Sequence, residues 1–229
     1  MPDVAFSKGG TGALPILYAC RFYRIPIIIH DSDAIPGLTN RASGKFAKII
    51  ELGFASAAEY FTDQKNIKIV GNPVRSYVIP DAQSLSDEGQ RAAKLVLKFD
   101  PAKPLLFIIG GSQGARIIND FVLTNLKELL SKFQIIHQIG LTNFSNFTEN
   151  LKAKSGKLSK NESASYHPLP FLENDMRTAL AAADLIISRA GAGAIYEIAA
   201  SGKPAILIPI TESANNHQKE NAFQYEAAG

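Results

Sequence analysis

Residues 105–119 read LLFIIGGSQGARIIN, and the fold follows from how that stretch is parsed. Leu105 to Ile109 is a continuous apolar run of the kind that forms a parallel strand covered on both faces. Gly110, Gly111 and Gly114 permit a tight turn after it, and Ser112 or Gln113 stands where it can cap a helix beginning near Ala115. A strand, a glycine turn and a helix start aim backbone N–H groups and a helix dipole at one spot, which suits a phosphate.

The same grammar repeats on both sides. Upstream, Val4 to Phe6 reads as a strand running into the glycine turn KGGTG at residues 8–12. A helix from Ala13 to Tyr23, a strand Ile25 to His30, a loop Asp31 to Thr39, a helix Asn40 to Phe46 and strands Lys48 to Leu52 and Ile67 to Val70 follow. After Arg75 the chain turns polar, so a domain boundary is expected between Arg75 and Pro80. This divides the chain into residues 1–76 and 77–229. A charged helix Asp87 to Leu97 leads back to Leu105. Helix Ile117 to Phe133, strand Gln134 to Gln138, a polar segment Leu141 to Ser165 expected as a solvated helix and loop, strand Tyr166 to Leu169 and helix Asn174 to Ala183 come next. Strand Leu185 to Ser188, helix Ala194 to Ala200, strand Ala205 to Ile208 and a helix Ala214 to Ala228 close the chain. Strands alternating with helices imply α/β units with parallel sheets.

Composition narrows the function. A net charge of +3, with no basic stripe interleaved with aromatics, gives no reason to expect nucleic acid. The single cysteine, Cys20, excludes an internal disulfide and a cysteine metal cluster, and fits a reducing compartment. Arg21 and Arg24 interrupt the most hydrophobic early region, so no membrane span is expected. The chain opens at once on a strand and stops at a helix terminus, and it is expected to be part of a longer protein.

Several residues carry candidate chemistry. A second strand, small-residue loop and helix at residues 185–194 would bring two phosphate-cradling loops to one sheet, at the crevice where open α/β sheets bind ligands. Glu197, about a turn into that helix, is in reach of ribose hydroxyls; its alternative role is a first-turn acid favoured by the helix dipole. Arg75, after a Gly-Asn-Pro turn, is placed to balance a diphosphate. Asp31-Ser32-Asp33 has the form of a metal-binding pair, but two carboxylates in a loop are far more often capping or turn residues; no metal and no cofactor are expected. His30 ends a buried strand, as core or cleft residue, while His137 and His167 read as ordinary strand residues. A rival reading takes GGSQG at 110–114 as a nucleophile turn, with Ser112, Asp184 and His217 in the chain order of a serine hydrolase.

Together, KGGTGALP at Lys8, HDSDAIPGLTN at His30, GNPVR at Gly71, GGSQGAR at Gly110, SRAGAGAIYEIAASGKP at Ser188 and HQKENA at His217 resemble the MurG family of bacterial glycosyltransferases over essentially the whole chain. The resemblance implies the GT-B architecture, two Rossmann-like domains facing across a cleft. It further implies inverting, metal-independent transfer of N-acetylglucosamine from UDP-N-acetylglucosamine to lipid I, giving lipid II for peptidoglycan, at the cytoplasmic side of the cell membrane. Carried over by motif, Arg75 and Ser112 match diphosphate contacts. Leu172 falls beside the uracil, and Ala192, Gly193, Ala194, Ile195, Tyr196 and Glu197 line the phosphate and ribose. Gln218 matches a sugar contact, and Gly9 and Gly10 match the acceptor-side loop. Asp33 stands where the family usually has Asn. The family's opening GGTGGH loop, with its candidate general base, has no counterpart here, and His30 is the remaining candidate. Arg21, Phe22, Tyr23 and Arg24, with Lys45 and Lys48, are the candidate membrane edge.

Overall fold

The computed structural model describes residues 1–62, 64–111, 114–154, 158–172, 175–210 and 216–229. Contacts divide the chain into two compact units. The first comprises Met1–Pro73, Ala190–Ile195 and Pro209–Gly229; the second comprises Val74–Arg189 and Tyr196–Ile208. The chain therefore leaves the first unit after Pro73 and returns to it twice.

The first unit is built on a four-stranded parallel sheet in sequence order, β1 (Ala5–Ser7), β2 (Ile27–Asp31), β3 (Ile49–Leu52) and β4 (Ile67–Ile69). Helices α1 (Ala13–Phe22) and α2 (Leu38–Gly44) fill the first two crossovers. Leu17 and Cys20 of α1 pack with Ile27, Ile29, Ile50, Leu52 and Phe61. Gly44 is required in this core, because a Cβ there would lie 2.5 Å from the Phe61 ring. A 3-10 helix at Ala55–Tyr60 has no counterpart in the sequence reading; its residues, ASAAEY, carry no periodic apolar pattern.

The second unit opens with α3 (Asp87–Val96), whose Ser86 cap accepts the Gly89 N–H at 3.0 Å. The central strand β5 (Leu105–Ile109) is buried throughout, as its apolar run demands. Around it are α4 (Arg116–Lys132), β6 (Gln134–Gln138), α5 (Phe144–Lys154), α6 (Lys160–Ala164), β7 (Tyr166–Leu169), α7 (Met176–Ala182), β8 (Leu185–Arg189), α8 (Ala192–Ser201) and β9 (Ala205–Ile208). The sheet order is β7-β6-β5-β8-β9, all parallel. Winding runs outward from β5 through β6 to β7, then restarts on the other side at β8. The switch point lies between β5 and β8, which pair from Leu106↔Leu185 to Ile109↔Ser188. The expected polar segment 141–165 contains two helices, and Phe147 of α5 enters the core beside Ile135 and Ile139. The chain ends in α9 (His217–Ala227), which belongs to the first unit. Residue 214, the expected start of this helix, and Asn174, the expected start of α7, lie outside the described residues.

Candidate functional site

In the second unit the glycine turn after β5 is set by close backbone approach. The Gly110 N–H donates to the Gln138 carbonyl at 2.9 Å, and a Cβ on Gly110 would meet that oxygen at 2.8 Å. Gly111 and Gly114 both have positive φ, +77° and +79°. A Cβ on Gly114 would run into the Ile139 carbonyl and the Asn143 side chain. Ser112 and Gln113, expected as phosphate ligand and helix cap, lie outside the described residues. At Ala115, the cap of α4, no side chain supplies a capping bond.

Two arginines serve this unit. Arg189, at the end of β8, donates from Nη1 to the Gly114 carbonyl at 3.1 Å, which ties the neighbouring strand to the turn. Burial lowers its pKa, and its Nε is buried with no partner among the described residues. Arg75 and Glu197 hold each other, with Nε to Oε1 at 2.9 Å and Nη2 to Oε1 at 2.9 Å. That hydrogen bond is the main reason the Arg75 pKa is raised. Arg75 also donates to the Tyr77 hydroxyl at 3.0 Å and stacks on its ring. Helix α8 begins at Ala192, two residues earlier than expected, so Glu197 lies in its second turn. The reading of Glu197 as a first-turn acid is thereby corrected, since no acid occupies that turn. Tyr196 is half-buried, and its phenol pKa is raised by burial. Leu172 is buried, and its N–H reaches the Gln138 side chain at 3.3 Å.

In the first unit the loop after β2 is organised by Asp31. Its carboxylate accepts the N–H groups of Asp33 and Gly37 and the Asn40 amide, at 3.2, 3.0 and 2.8 Å. Burial, outweighing those hydrogen bonds, raises its pKa. Asp31 is therefore the capping member of the Asp-Ser-Asp pair. Asn40 also donates to the His30 carbonyl, and the Thr39 hydroxyl donates to the carbonyl of Gly10, pinning the turn of Gly9 and Gly10. Gly9 has φ +87°, and a Cβ there would lie 3.1 Å from the Asn40 amide. His30 is 4% exposed and donates from Nε2 to the Gly71 carbonyl at 3.0 Å. It thus serves to hold the GNPVR turn, facing the interior.

Asp33 is met by a residue that sequence reasoning missed. Asn221 donates to Asp33 Oδ1 at 2.8 Å and to the Ala190 carbonyl at 3.2 Å, and accepts the Ala34 N–H at 2.7 Å. One turn earlier on α9, Gln218 is 5% exposed and accepts the Ile210 N–H at 3.2 Å. Its carbonyl end is committed to the backbone. Asn221 lies in the quoted HQKENA stretch, one helical turn after Gln218, so helical spacing was the available signal. Of the α8 start, Ala192 and Ile195 are buried, Gly193 is exposed and Ala194 is partly covered.

Asp184, the proposed acid of the hydrolase reading, has a structural place of its own. Asp184 precedes β8 and accepts the Leu105 N–H at 2.7 Å, the Gln90 amide at 3.0 Å and the Lys94 ammonium at 2.7 Å. It sits at the edge where β5 begins, whereas the glycine turn lies where β5 ends, about 15 Å away for a five-residue strand.

Both units have counterparts among known proteins. The glycosyltransferase family 28 C-terminal domain matches residues 105–229, and its N-terminal counterpart matches residues 1–51. The chain belongs to glycosyltransferase family 28. A Halothermothrix orenii protein named UDP-N-acetylglucosamine–N-acetylmuramyl-(pentapeptide) pyrophosphoryl-undecaprenol N-acetylglucosamine transferase is 38% identical over all of this chain and 60% of its own length. The crystal structure of Acinetobacter baumannii MurG superposes with a TM-score of 0.70 at 28% identity, over 99% of this chain and 58% of that one. A putative UDP-N-acetylglucosamine 2-epimerase from Listeria monocytogenes shares the fold alone, with a TM-score of 0.61 at 13% identity over 99% of this chain and 65% of that one. The chain thus spans about three-fifths of the length of the curated relatives it matches. Its fold class is the α/β, two-parallel-sheet class of the GT-B enzymes, as read from the sequence.

Proposed function

We propose that the protein to which this chain belongs transfers N-acetylglucosamine from UDP-N-acetylglucosamine to lipid I, with inversion and without a metal ion. The observation that carries the donor half is the Gly110–Gly114 turn at the switch point between β5 and β8, backed by the Arg189 guanidinium. The turn lies at the crevice where parallel sheets bind nucleotides, and the guanidinium beside it supplies positive charge for an anion. Residues 77–229 take the UDP-sugar and residues 1–76 belong to the acceptor side. Arg75 and Ser112 meet the diphosphate, Leu172 meets the uracil and Glu197, oriented by Arg75, accepts the ribose hydroxyls. Ala192 to Tyr196 line the ribose and phosphate, and Asp33 and Gln218 serve the sugar. Gly9 and Gly10 face the acceptor. Helix dipoles and arginine stabilise the departing UDP in place of a metal. The name of the relatives, which specifies this donor and a pyrophosphoryl-undecaprenol acceptor, supports the reading.

Calorimetry decides the donor. Binding of UDP-N-acetylglucosamine well above UDP-glucose and UDP-galactose is expected, and equal affinity for the three removes the assignment.

A lipid acceptor requires a membrane face, and we place it on α1 and the end of α2. Ile16, Phe22 and Tyr23 are 64, 80 and 58% exposed. Arg21 lies over the Phe46 ring, and Arg24, Lys45 and Lys48 are exposed nearby in sequence. Exposed aromatics ringed by cations suit the cytoplasmic face of an anionic bilayer. Co-sedimentation with anionic vesicles should fall several-fold for R21A/R24A; unchanged binding rejects this face. No described helix is long and apolar enough to cross a membrane.

A further inference from the structure

Helix α9 has two buried residues, Gln218 and Asn221, and both are amides. A helix docked through amides is held by the register of its hydrogen bonds, since it buries little apolar surface. Asn221 is 0% exposed, and both its oxygen and its two N–H groups are hydrogen-bonded. Its oxygen accepts the Ala34 N–H; its two N–H bonds go to Asp33 Oδ1 and the Ala190 carbonyl. The orientation of the amide follows from chemistry, because a backbone N–H can face only the oxygen and a backbone carbonyl only the nitrogen. No other side chain of this size supplies one acceptor and two donors in that fork. Aspartate lacks the donors, serine has one, and glutamine is longer by a methylene.

We propose that Asn221 is a positioning residue for the donor site, setting the Asp33 carboxylate and the Ala190 turn that opens α8 at one fixed separation. This rests on the donor reading above, in which Asp33 meets the sugar and α8 begins at the phosphate. Sequence separations of 188 and 31 residues are closed by one amide. Donor binding therefore depends on a residue whose own side chain is buried away from solvent. Asp33 in turn has its Oδ1 occupied and its direction fixed.

The test uses the 229-residue chain with Asn221→Asp, Asp33→Asn, Asp33→Asn/Asn221→Asp and Asn221→Ala, followed by thermal unfolding from about pH 5 to 8 and by calorimetry with UDP-N-acetylglucosamine and UDP. Asn221→Asp sets two carboxylates about 3 Å apart, which hold together only while sharing a proton. Its melting temperature should lie below the wild type at the alkaline end of the range, and the gap should narrow toward the acid end. Beyond burial, Asp33 also raises the pKa of Asp31, the other carboxylate of the loop; this effect is common to the wild type and Asn221→Asp and is absent from the double variant, which is therefore compared with Asp33→Asn alone. In the double variant the amide and the carboxylate exchange places, so the side chain at position 33 donates to the one at position 221; the pH-dependent part of the gap should disappear, while the lost bond to the Ala190 carbonyl leaves a pH-independent deficit. Affinity for UDP-N-acetylglucosamine should fall at least about tenfold in Asn221→Asp at the alkaline end, fall further than affinity for UDP, and recover in part in the double variant, which restores the tie to position 33 but not the one to Ala190. Asn221→Ala, which removes the fork without adding charge, should weaken binding with no pH dependence of its own. A pH-independent gap for Asn221→Asp, or a double variant no better than Asn221→Asp, overturns the proposal. If Asn221→Asp does not fold at any pH, recovery of folding and binding in the double variant supports it, and failure to recover overturns it. A wild type that binds neither nucleotide defeats the donor reading instead, a result separate from those of the variants.

Discussion

Acidification should destabilise the second unit through His137. The ring is fully buried and neutral, in a chain of hydrogen bonds with one consistent direction. The Tyr166 hydroxyl donates to Nδ1 at 3.0 Å, Nε2–H donates to Asn119 Oδ1 at 3.0 Å, and the Asn119 amide donates to the Ile139 carbonyl at 3.0 Å. A proton added to Nδ1 turns the Tyr166 hydroxyl out of its donating role and places a charge in the core with no opposite charge beside it. Burial accordingly lowers the pKa from 6.5 to about 3. The folded state holds its proton less tightly than the unfolded chain, so stability falls as the pH drops from about 6.5 toward 3 and is constant above that window. Each pH unit inside the window costs about 1.4 kcal/mol. At about pH 4.5, roughly two units below the unfolded value, the loss is about 2.7 kcal/mol, a large share of a typical domain's stability. Carboxylates also titrate there, so the measurement is a difference. Urea unfolding, followed by circular dichroism, should be run from about pH 4.5 to 7.5 on the wild type and on His137→Gln, which cannot titrate. The stability gap should shrink by about 2.7 kcal/mol across the range as the wild type alone loses ground. Parallel stability curves would refute the argument, showing that the folded protein protonates this ring at no special cost.

Three further outcomes are expected. Glu197→Gln should leave the melting temperature almost unchanged, because its pair with Arg75 is partly exposed at 38% and 19% and such pairs contribute about 1 kcal/mol or less. Calorimetry should nevertheless show UDP affinity reduced roughly tenfold, if the proposed charged hydrogen bond to the ribose is lost. Gly114→Ala should lower stability by about 3 kcal/mol in urea titrations, since it combines a left-handed backbone with a clash against the Ile139 carbonyl; a loss under about 1 kcal/mol would mean the turn relaxes freely. Asp184→Ala should cost about 3 kcal/mol by removing the counter-charge of Lys94, 6% exposed, which keeps only the Lys103 carbonyl, and the acceptor of the Leu105 N–H. Fluorophosphonate should label neither this variant nor the wild type, and labelling at Ser112 would restore the hydrolase reading.

Local physics makes part of this legible in advance. Strand β5 is hard to misplace, because burial on both faces requires an unbroken apolar run whatever surrounds it. Leu105 to Ile109 and Gln134 to Gln138 match the expected strands to the residue. The glycines at 110, 111 and 114 are recognisable as a turn because backbone approach and positive φ select glycine locally. The polar segment 141–165 is harder to read, since α5 turns Phe147 inward from a largely solvated helix.

The sequence by itself determined the alternation of strands and helices, the glycine turns that end strands, and through its motifs the family. Only the tertiary structure decided which side chains meet. Arg75 and Glu197 are 122 residues apart, and Asp33 and Asn221 are 188 apart. Asp184 proved to be a brace beneath β5, and His137 the centre of a buried relay. Periodicity and turn chemistry are set within a few neighbouring residues, but a hydrogen bond between distant residues depends on the packing of whole elements, which no local pattern encodes.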